Sequence, residues 1–352
     1  MLSAIVFLPL AGAIVILLGL NDPKKVRLWA VLIGFVELVL GFLCFYQFQT
    51  ADIGLTQDMA LEELYKNWIP VLNIQYHLGV DGLSAPFVLL TSLLGFCAIM
   101  ASLSIQLRVK EYFMWLLILQ SAVMGVFISL DFVLFFIFWE LELLPMYFLI
   151  SIWGSGRKDY SAMKFVIFTL LGSAFMLVAI LGLYFSTGSF SIIELPGLVS
   201  EAKLFMPAGT MFAFLFLAFA VKLPVWPVHT WLPDAHTDAP TAVSVMLAGV
   251  LLKMGGYGMI RLAIGIFPGE AQKWAWVIAA LAVISVLYGA VCTVRQTDLK
   301  RLVAFSSVSH MGYVLLGISS VVGVGGSVSS VGLTGAAMQM FTHGTITGLL
   351  FL

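Results

Sequence analysis

The sequence is poor in charged residues. It holds 17 basic and 18 acidic side chains in 352 residues, a charged fraction of 10%, against about 25% in ordinary soluble domains. So few charges cannot cover the surface of a water-soluble globule of this length, and a soluble enzyme is excluded. The hydrophobic fraction of 61% predicts a polytopic helical membrane protein. The net charge of −1 argues against a nucleic-acid partner.

Cysteine is also scarce. Cys44, Cys97 and Cys292 lie far apart in apolar runs, so they predict packing or lipid-facing residues and no disulfide framework, metal cluster or iron–sulfur pattern. The sequence has no HExxH, no GxGxxG and no GxxxxGK[ST] motif. We therefore expect no cofactor in this chain, and a function that moves charge rather than electrons.

Long apolar runs are abundant. A bilayer span needs about 20 apolar residues, and this criterion predicts eleven transmembrane helices in an all-α fold. The last run ends at Leu350, Phe351 and Leu352 without a polar tail, so we expect the chain to be a fragment. The predicted spans lie near residues 2–20, 26–48, 82–106, 112–130, 131–153, 161–185, 209–231, 242–266, 273–294, 302–323 and 328–352.

Basic residues are unequally divided between the two sets of alternating loops. The loops with more lysine and arginine face the cytoplasm or stroma, which places the N-terminus on the opposite side and the acidic segment 49–81, with Asp52 and Asp58, outside. Lys66, Lys203, Arg261 and Lys273 make up the poorer set. The richer set is Lys24, Lys25, Arg27, Arg108, Lys110, Arg157, Lys158, Lys164, Arg295, Lys300 and Arg301.

Five charged residues lie at membrane depth: Glu37, Glu140, Glu142, Lys222 and Lys253. A charge at the centre of a span costs about 2.5–3.5 kcal/mol on insertion scales, so such residues mark partners or polar paths. Glu140 and Glu142 are about 200° apart around a helix and cannot point the same way. We expect Glu140 to handle protons. For Glu142 and Glu37, proton handling and helix packing both stay open.

Lys222 lies in a segment interrupted by proline. Pro224 and Pro227 follow it closely, and proline removes a backbone donor and breaks a helix. A broken helix beside an ionisable residue is typical of a transporter's ion site. The alternative is a kinked helix whose lysine reaches the interface. Lys253 lies among small residues that permit close helix packing, and we expect a functional role there too.

Four of the five histidines lie in or beside spans. Imidazole titrates near physiological pH and suits a proton relay, so His229, His310 and His343 are candidate relay residues, with packing as the alternative. His236 is expected to be structural and His77 to be solvated in the external segment.

Three segments together resemble a known family. FWELELLPMYFLISIWG (138–154), VKLPVWPVHTWLPDAHTDAPTAVSVMLAGVLLKMGGYG (221–258) and QTDLKRLVAFSSVSHMGYVLLGI (296–318) are similar to the antiporter-like proton-pumping membrane subunit of complex I, the chain M or chain 4 type of bacteria and photosynthetic relatives. The resemblance implies an inverted-repeat antiporter-like fold with a discontinuous seventh helix and a second repeat truncated here.

The resemblance also assigns roles to residues. It implies that Glu140 and Lys222 form a pair that gates the input half-channel and that Lys253 passes the proton on. Glu142 is present in only part of that family. A twelfth-helix lysine or glutamate that completes the exit path in the family is absent from this chain. The implied proton path is Glu140, Lys222, Lys253, His229, His310 and His343.

The resulting expectations concern the whole assembly. We expect N-terminal helices and an external loop in 1–110, a first repeat in 111–266 and the start of a second in 267–352. The expected function is proton translocation in a complex I-type quinone oxidoreductase, with quinone and iron–sulfur clusters or flavin in partner subunits. The expected location is the bacterial inner membrane or the thylakoid membrane. A sodium/proton antiporter subunit and a structural membrane scaffold are the alternatives. Electron donor and quinone type stay open.

Overall fold

A computed structural model describes residues 1–51, 59–321 and 330–352, and these are overwhelmingly helical. Several of the predicted spans are divided into shorter helices at the places where proline or π-helical backbone interrupts them. The helices are α1 Leu2–Gly19, α2 Pro23–Thr50, α3 Ser84–Ala101, α4 Val109–Ile128, α5 Phe132–Leu141, α6 Leu143–Trp153, α7 Lys158–Thr187, α8 Leu195–Glu201, α9 Ala208–Lys222, α10 Trp231–Asp238, α11 Thr241–Met246, α12 Leu252–Gly258, α13 Pro268–Val294, α14 Leu299–Ser319 and α15 Ser330–Phe351.

The helices agree with a polytopic membrane protein. Within the described residues, nine helical stretches are long and apolar enough to cross a bilayer, so the helical class is confirmed, while the expected count of eleven is not. Of the other two predicted spans, one contains the shorter apolar helix α9 and the other α15. Asp52 and Asp58 lie outside the described residues, as do the end of the tenth predicted span and the start of the eleventh.

The fifth predicted span is interrupted near its middle. α5 ends at Leu141 and α6 begins at Leu143, and together they form one stretch of 22 residues. Pro145 has no N–H with which to reach the carbonyl of Leu141 four residues earlier. Glu142 therefore lies at the interruption itself.

The seventh predicted span is a broken helix. Helix α9 stops at Lys222, and α10 starts only at Trp231, so residues 223–230 form turns instead. Pro224 and Pro227 fall in these turns and cannot continue the helical hydrogen bonding. The discontinuity predicted next to the lysine is present.

The eighth predicted span is helical throughout but changes its winding. Two π-helical segments, Leu247–Leu251 and Met259–Ile264, flank the α-helical turn that carries Lys253. π-helical turns shift the backbone hydrogen bonds by one residue and occur often at functional sites. In its most apolar window, 94% of this stretch is buried, against 22% for α13. Lys253 is thus at the centre of the molecule.

The segment predicted to be an external loop contains a β-hairpin. Strands β1 (Leu61–Ile69) and β2 (Ile74–Val80) pair antiparallel. The N–H of Leu130 donates to the carbonyl of His77 at 2.9 Å, and the N–H of Ile192 donates to that of Leu130 at 2.9 Å. The hairpin therefore belongs to a folded layer over one end of the helices.

His77 is a correction to the sequence analysis. Expected to be solvated, it is 4% exposed, and its Nε2 lies 2.7 Å from Oε1 of Glu62. Antiparallel pairing places side chains of neighbouring strands side by side, which brings the two residues together.

The opposite end gathers the loops with many basic residues. Arg27 donates through Nη2 to the Ile105 carbonyl at 2.7 Å, and Lys300 donates through Nζ to the Ala239 carbonyl at 2.7 Å. The loops predicted to be cytoplasmic thus share one end, away from the hairpin. Which compartment each end faces stays a prediction, as do the bounds of the three domains.

Candidate functional site

The first buried charge pair joins Lys222 to Glu142. Their side chains are 1% and 0% exposed and form an ion pair. Lys222 comes at the last turn of α9, where the helix breaks. Its Nζ also lies 5.2 Å from the ring centroid of Phe165 and 5.5 Å from that of Trp139. Aromatic faces stabilise a cation, so the lysine is surrounded by groups that compensate for lost water.

The ion-pair partner of Lys222 in the structure differs from the expected one. The resemblance implied a pair with Glu140, whereas the ion pair is made by Glu142. Glu140 is partly buried and interacts with the side chain of Ser173, and it stays within electrostatic range of Lys222. The two acids point to different sides, as their angular separation requires. Glu142 points inward.

The broken segment beside Lys222 is held by hydrogen bonds from outside the helix. The indole N–H of Trp231 donates to the Val221 carbonyl at 2.9 Å. The N–H of Trp226 donates to the Ser285 hydroxyl at 3.0 Å. Backbone polar groups at membrane depth are tolerated where protein satisfies them, so these contacts make the break a stable feature.

The second buried site centres on Lys253. Its side chain is 0% exposed, and its Nζ lies 2.8 Å from Nδ1 of His343, which is 90 residues away in the sequence. The ring of His343 lies 5.4 Å from that of His310, centroid to centroid. Nδ1 of His310 is 3.2 Å from Nε2 of Gln339. Three predicted residues therefore form one row.

The backbone supplies a further acceptor to Lys253. Its Nζ donates to the carbonyl of Ala248, five residues earlier, which lies in the π-helical turn before it. The row that starts at Lys253 is buried as far as His343 and becomes exposed at His310. A proton that moved along it would reach the surface of this chain at His310.

His229 is not joined to this row. It lies in the break after Lys222, is 2% exposed, and its ring packs against Tyr288 at 5.0 Å. No contact found among the described residues connects it to Lys253. Of the six predicted site residues, the structure thus brings together Lys253, His343 and His310.

His236, which was expected to be structural, lies in α10. It is 0% exposed, stacks on Phe351 at 4.7 Å, and neither ring nitrogen has a hydrogen-bond partner in the described part of the chain. It lies within electrostatic range of both Lys253 and Lys300.

A polar cavity opens at the end that carries the basic loops. It has a volume of about 310 Å³, and its lining includes Ser102, Tyr112, Asp238 and Lys300. The Ser161 hydroxyl donates to Asp238 at 2.5 Å. His236 lies within electrostatic range of Lys300, which lines this cavity, and of Lys253.

Comparison with known proteins agrees with this architecture. Residues 129–352 match the family described as NADH:quinone oxidoreductase/Mrp antiporter, transmembrane. The chain belongs to this family. The matched region includes both buried sites and the broken helix.

Relatives of this family member are similar over nearly the whole chain. It is 41% identical to "NAD(P)H-quinone oxidoreductase chain 4 2" of Thermosynechococcus vestitus over 99% of its length, and it spans 64% of that relative. It is 38% identical to "NADH-quinone oxidoreductase subunit M" of Rickettsia prowazekii, with 100% of the chain and 70% of the relative covered.

A solved structure shows the same fold. The chain superposes on one chain of respiratory complex I from Thermus thermophilus with a TM-score of 0.86 and 29% identity. The superposition covers 100% of this chain and 70% of the other. The inverted-repeat arrangement expected from the sequence remains a prediction.

Proposed function

We propose that the chain translocates protons as a membrane-arm subunit of a complex I-type quinone oxidoreductase. The observation that carries the proposal is the pair of buried lysines. Lys222 meets Glu142, and Lys253 meets His343, both at membrane depth. Each lysine is next to a group that can change its protonation state, which is what stepwise proton transfer needs.

The proposed path starts at the polar cavity on the side of the basic loops. From there a proton reaches the Lys253 site past His236, and it continues along His343 to His310. Lys222 and Glu142 act as the gate. While the pair is closed, Lys222 keeps its proton, because a neighbouring carboxylate favours the charged form of lysine. Separation of the pair removes that preference, and the proton passes on toward Lys253.

Such transport requires an external source of energy. Moving one elementary charge across 100 mV costs about 2.3 kcal/mol. In the proposed assembly this energy comes from electron transfer to quinone in partner subunits, which also hold the iron–sulfur clusters or flavin. This chain contributes proton-carrying side chains, and its partners are other membrane-arm subunits and lipid. A bacterial inner membrane or a thylakoid membrane is the proposed location, with the N-terminus on the non-cytoplasmic side.

A sodium/proton antiporter subunit is the second candidate. The family description itself includes Mrp antiporters, and the same buried lysines would serve ion exchange. The names of the relatives reported above favour the quinone oxidoreductase. In a structural scaffold, the third candidate, the buried charges would only hold helices together.

The test is the variant Lys222→Ala in the assembled complex, reconstituted into sealed vesicles. We expect quinone reduction that no longer drives acidification of the vesicle interior, measured with a pH-sensitive dye. Lys203→Ala removes an exposed lysine from the loop before α9 and serves as the matched control. Full acidification in the Lys222 variant would refute the proposal, and sodium-driven acidification without quinone would favour the antiporter.

A further inference from the structure

Glu37 lies apart from both lysine sites, in the layer formed by α1 to α4. It is the middle member of the buried stripe of α2 and is 0% exposed. Neither carboxyl oxygen has a hydrogen-bond partner among the described residues. A buried carboxyl group without a partner requires an explanation.

Among the described residues, no cation forms an ion pair with Glu37. Helices α1 and α3 contain no charged residue, and α4 has Lys110 and Glu111 in its first turn alone. The basic residues of α2 lie in its first turns, ten or more residues before Glu37. An ionised carboxylate here would be an isolated buried charge, which proteins avoid by neutralising the group.

The neighbours of Glu37 on α2 define what it faces. A Cβ on Gly34 would lie 2.6 Å from Ile99 Cδ1, and one on Gly41 would lie 2.8 Å from Ser92 Cβ. Glu37 comes between these glycines on the same face of α2, at helical spacings of three and four residues. It therefore lies opposite the stretch of α3 between Ser92 and Ile99.

Within that stretch of α3, Gly95 has no side chain and so leaves space for a side chain from a neighbouring helix. Positions 88, 92, 95 and 99 share one face of α3. The space above Gly95 is occupied by the side chain of Gln120 from α4, since a Cβ there would lie 2.6 Å from its Cδ and Nε2. Gln120 is 1% exposed, and its Nε2 is also without a partner in the described residues. Gln120 thus fills the space above Gly95, on the face of α3 that packs against α2.

We propose that Glu37 and Gln120 form a proton-binding site across Gly95, separate from the path through Lys222 and Lys253. A protonated carboxyl can donate its O–H to the carboxamide oxygen and accept from the carboxamide N–H. This exchange would satisfy both oxygens of Glu37 and Nε2 of Gln120, the three atoms left without partners. The bound species is one proton, and no metal cation is required.

The protonation state can be read by infrared spectroscopy of the assembled complex labelled with ¹³C-glutamate. We expect Glu37→Gln to remove the carbonyl band of a protonated acid at neutral pH. Glu111→Gln, which changes an exposed acid on α4, should instead remove carboxylate bands. Gln120→Leu should move the Glu37 band to higher frequency, because the carbonyl loses its hydrogen bond.

Several outcomes would overturn the proposal. Loss of a carboxylate band in the Glu37 variant would show an ionised group, and a band that changes when sodium is added would show a cation site. Failure of Glu37→Gln to assemble would also contradict it, because glutamine matches the shape and charge of the protonated acid. The infrared result is independent of vesicle acidification, so this site and the proposed function can fail separately.

Discussion

The ammonium group of Lys222 and the carboxylate of Glu142 meet inside the membrane-spanning part of the protein, at two helix interruptions. Lys222 ends α9 and Glu142 separates α5 from α6. Both side chains are buried, so neither has water to replace a lost partner. Removing one member of a buried pair leaves an uncompensated charge and costs about 3–5 kcal/mol. A movement of either interruption that separates the pair would therefore cost free energy.

Glu142→Gln should impair proton transport more than Glu140→Gln. The first variant deprives Lys222 of its ion-pair partner, whereas the second removes an acid that is partly exposed and bound to Ser173. We expect acidification by reconstituted vesicles to fall about tenfold or more for Glu142→Gln, equivalent to about 1.4 kcal/mol. The reverse order of the two variants would make Glu140 the working partner.

His343→Asn and Lys253→Met should act as one unit. The two side chains are 2.8 Å apart and buried together, so loss of either interrupts the same transfer step. Residues in direct contact give non-additive effects. In the same vesicle assay, we expect the double variant to pump no more slowly than the more strongly impaired of the two single variants. If the fold-reductions of the two single variants multiplied in the double variant, the two residues would act separately.

Much of the fold could be predicted because a bilayer restricts the sequence so strongly. Long apolar runs identified the membrane-crossing helices, and the prolines after Lys222 identified the broken one, since both follow from backbone hydrogen bonding in lipid. The β-hairpin was missed. Its acidic residues, such as Glu62 and Glu63, resemble those of a solvated loop.

The site was predictable as a list of residues but not as an arrangement. Scarcity of charge in the spans singled out Lys222, Lys253 and Glu140, while the role of Glu142 stayed open. The choice of Glu142 over Glu140 depends on which way a helix interrupted by Pro145 is turned, and an uninterrupted helical wheel does not contain that information. Likewise, the approach of His343 to Lys253 is a tertiary contact between distant segments.

Acid should weaken the contact between Asp81 and Arg261 near the hairpin. Asp81 Oδ1 lies 2.6 Å from Nη2 of Arg261. Burial alone would raise the pKa of Asp81, but Arg261 and the backbone N–H of Ser84 outweigh burial and lower that pKa below its usual value. The stabilisation is therefore complete above the unfolded-state pKa of about 3.9 and is lost as pH falls through the lower folded-state pKa.

Thermal unfolding of the detergent-solubilised complex at several pH values checks the pH dependence of the Asp81–Arg261 contact. Asp81→Asn should be less stable than the natural protein near neutral pH, by about 1.5–3 kcal/mol for a hydrogen bond to a charged group. The difference should shrink as the medium becomes acidic. A difference that stays constant with pH would show that the ion pair contributes nothing to stability.

Gly255 should not tolerate alanine. A Cβ at this position in α12 would lie 2.6 Å from the backbone nitrogen of Leu223 and 2.8 Å from the carbonyl oxygen of Phe219. Both atoms belong to the backbone at the break, so neither can rotate away. We expect about 1–3 kcal/mol of destabilisation from overpacking and weaker pumping, because Lys253 lies two residues earlier on the same helix.

Gly335→Ala supplies the matched control. Gly335 lies in α15, and nothing is within 4 Å of a Cβ placed there. Alanine favours a helix over glycine by about 0.8–1.0 kcal/mol, so this variant should be as stable as the natural chain or slightly more stable. Unfolding temperature and acidification rate, measured on both variants, separate crowding at the break from a general effect of the added methyl group. Equal losses in the two variants would remove the argument that α12 must approach the broken helix closely for Lys253 to work.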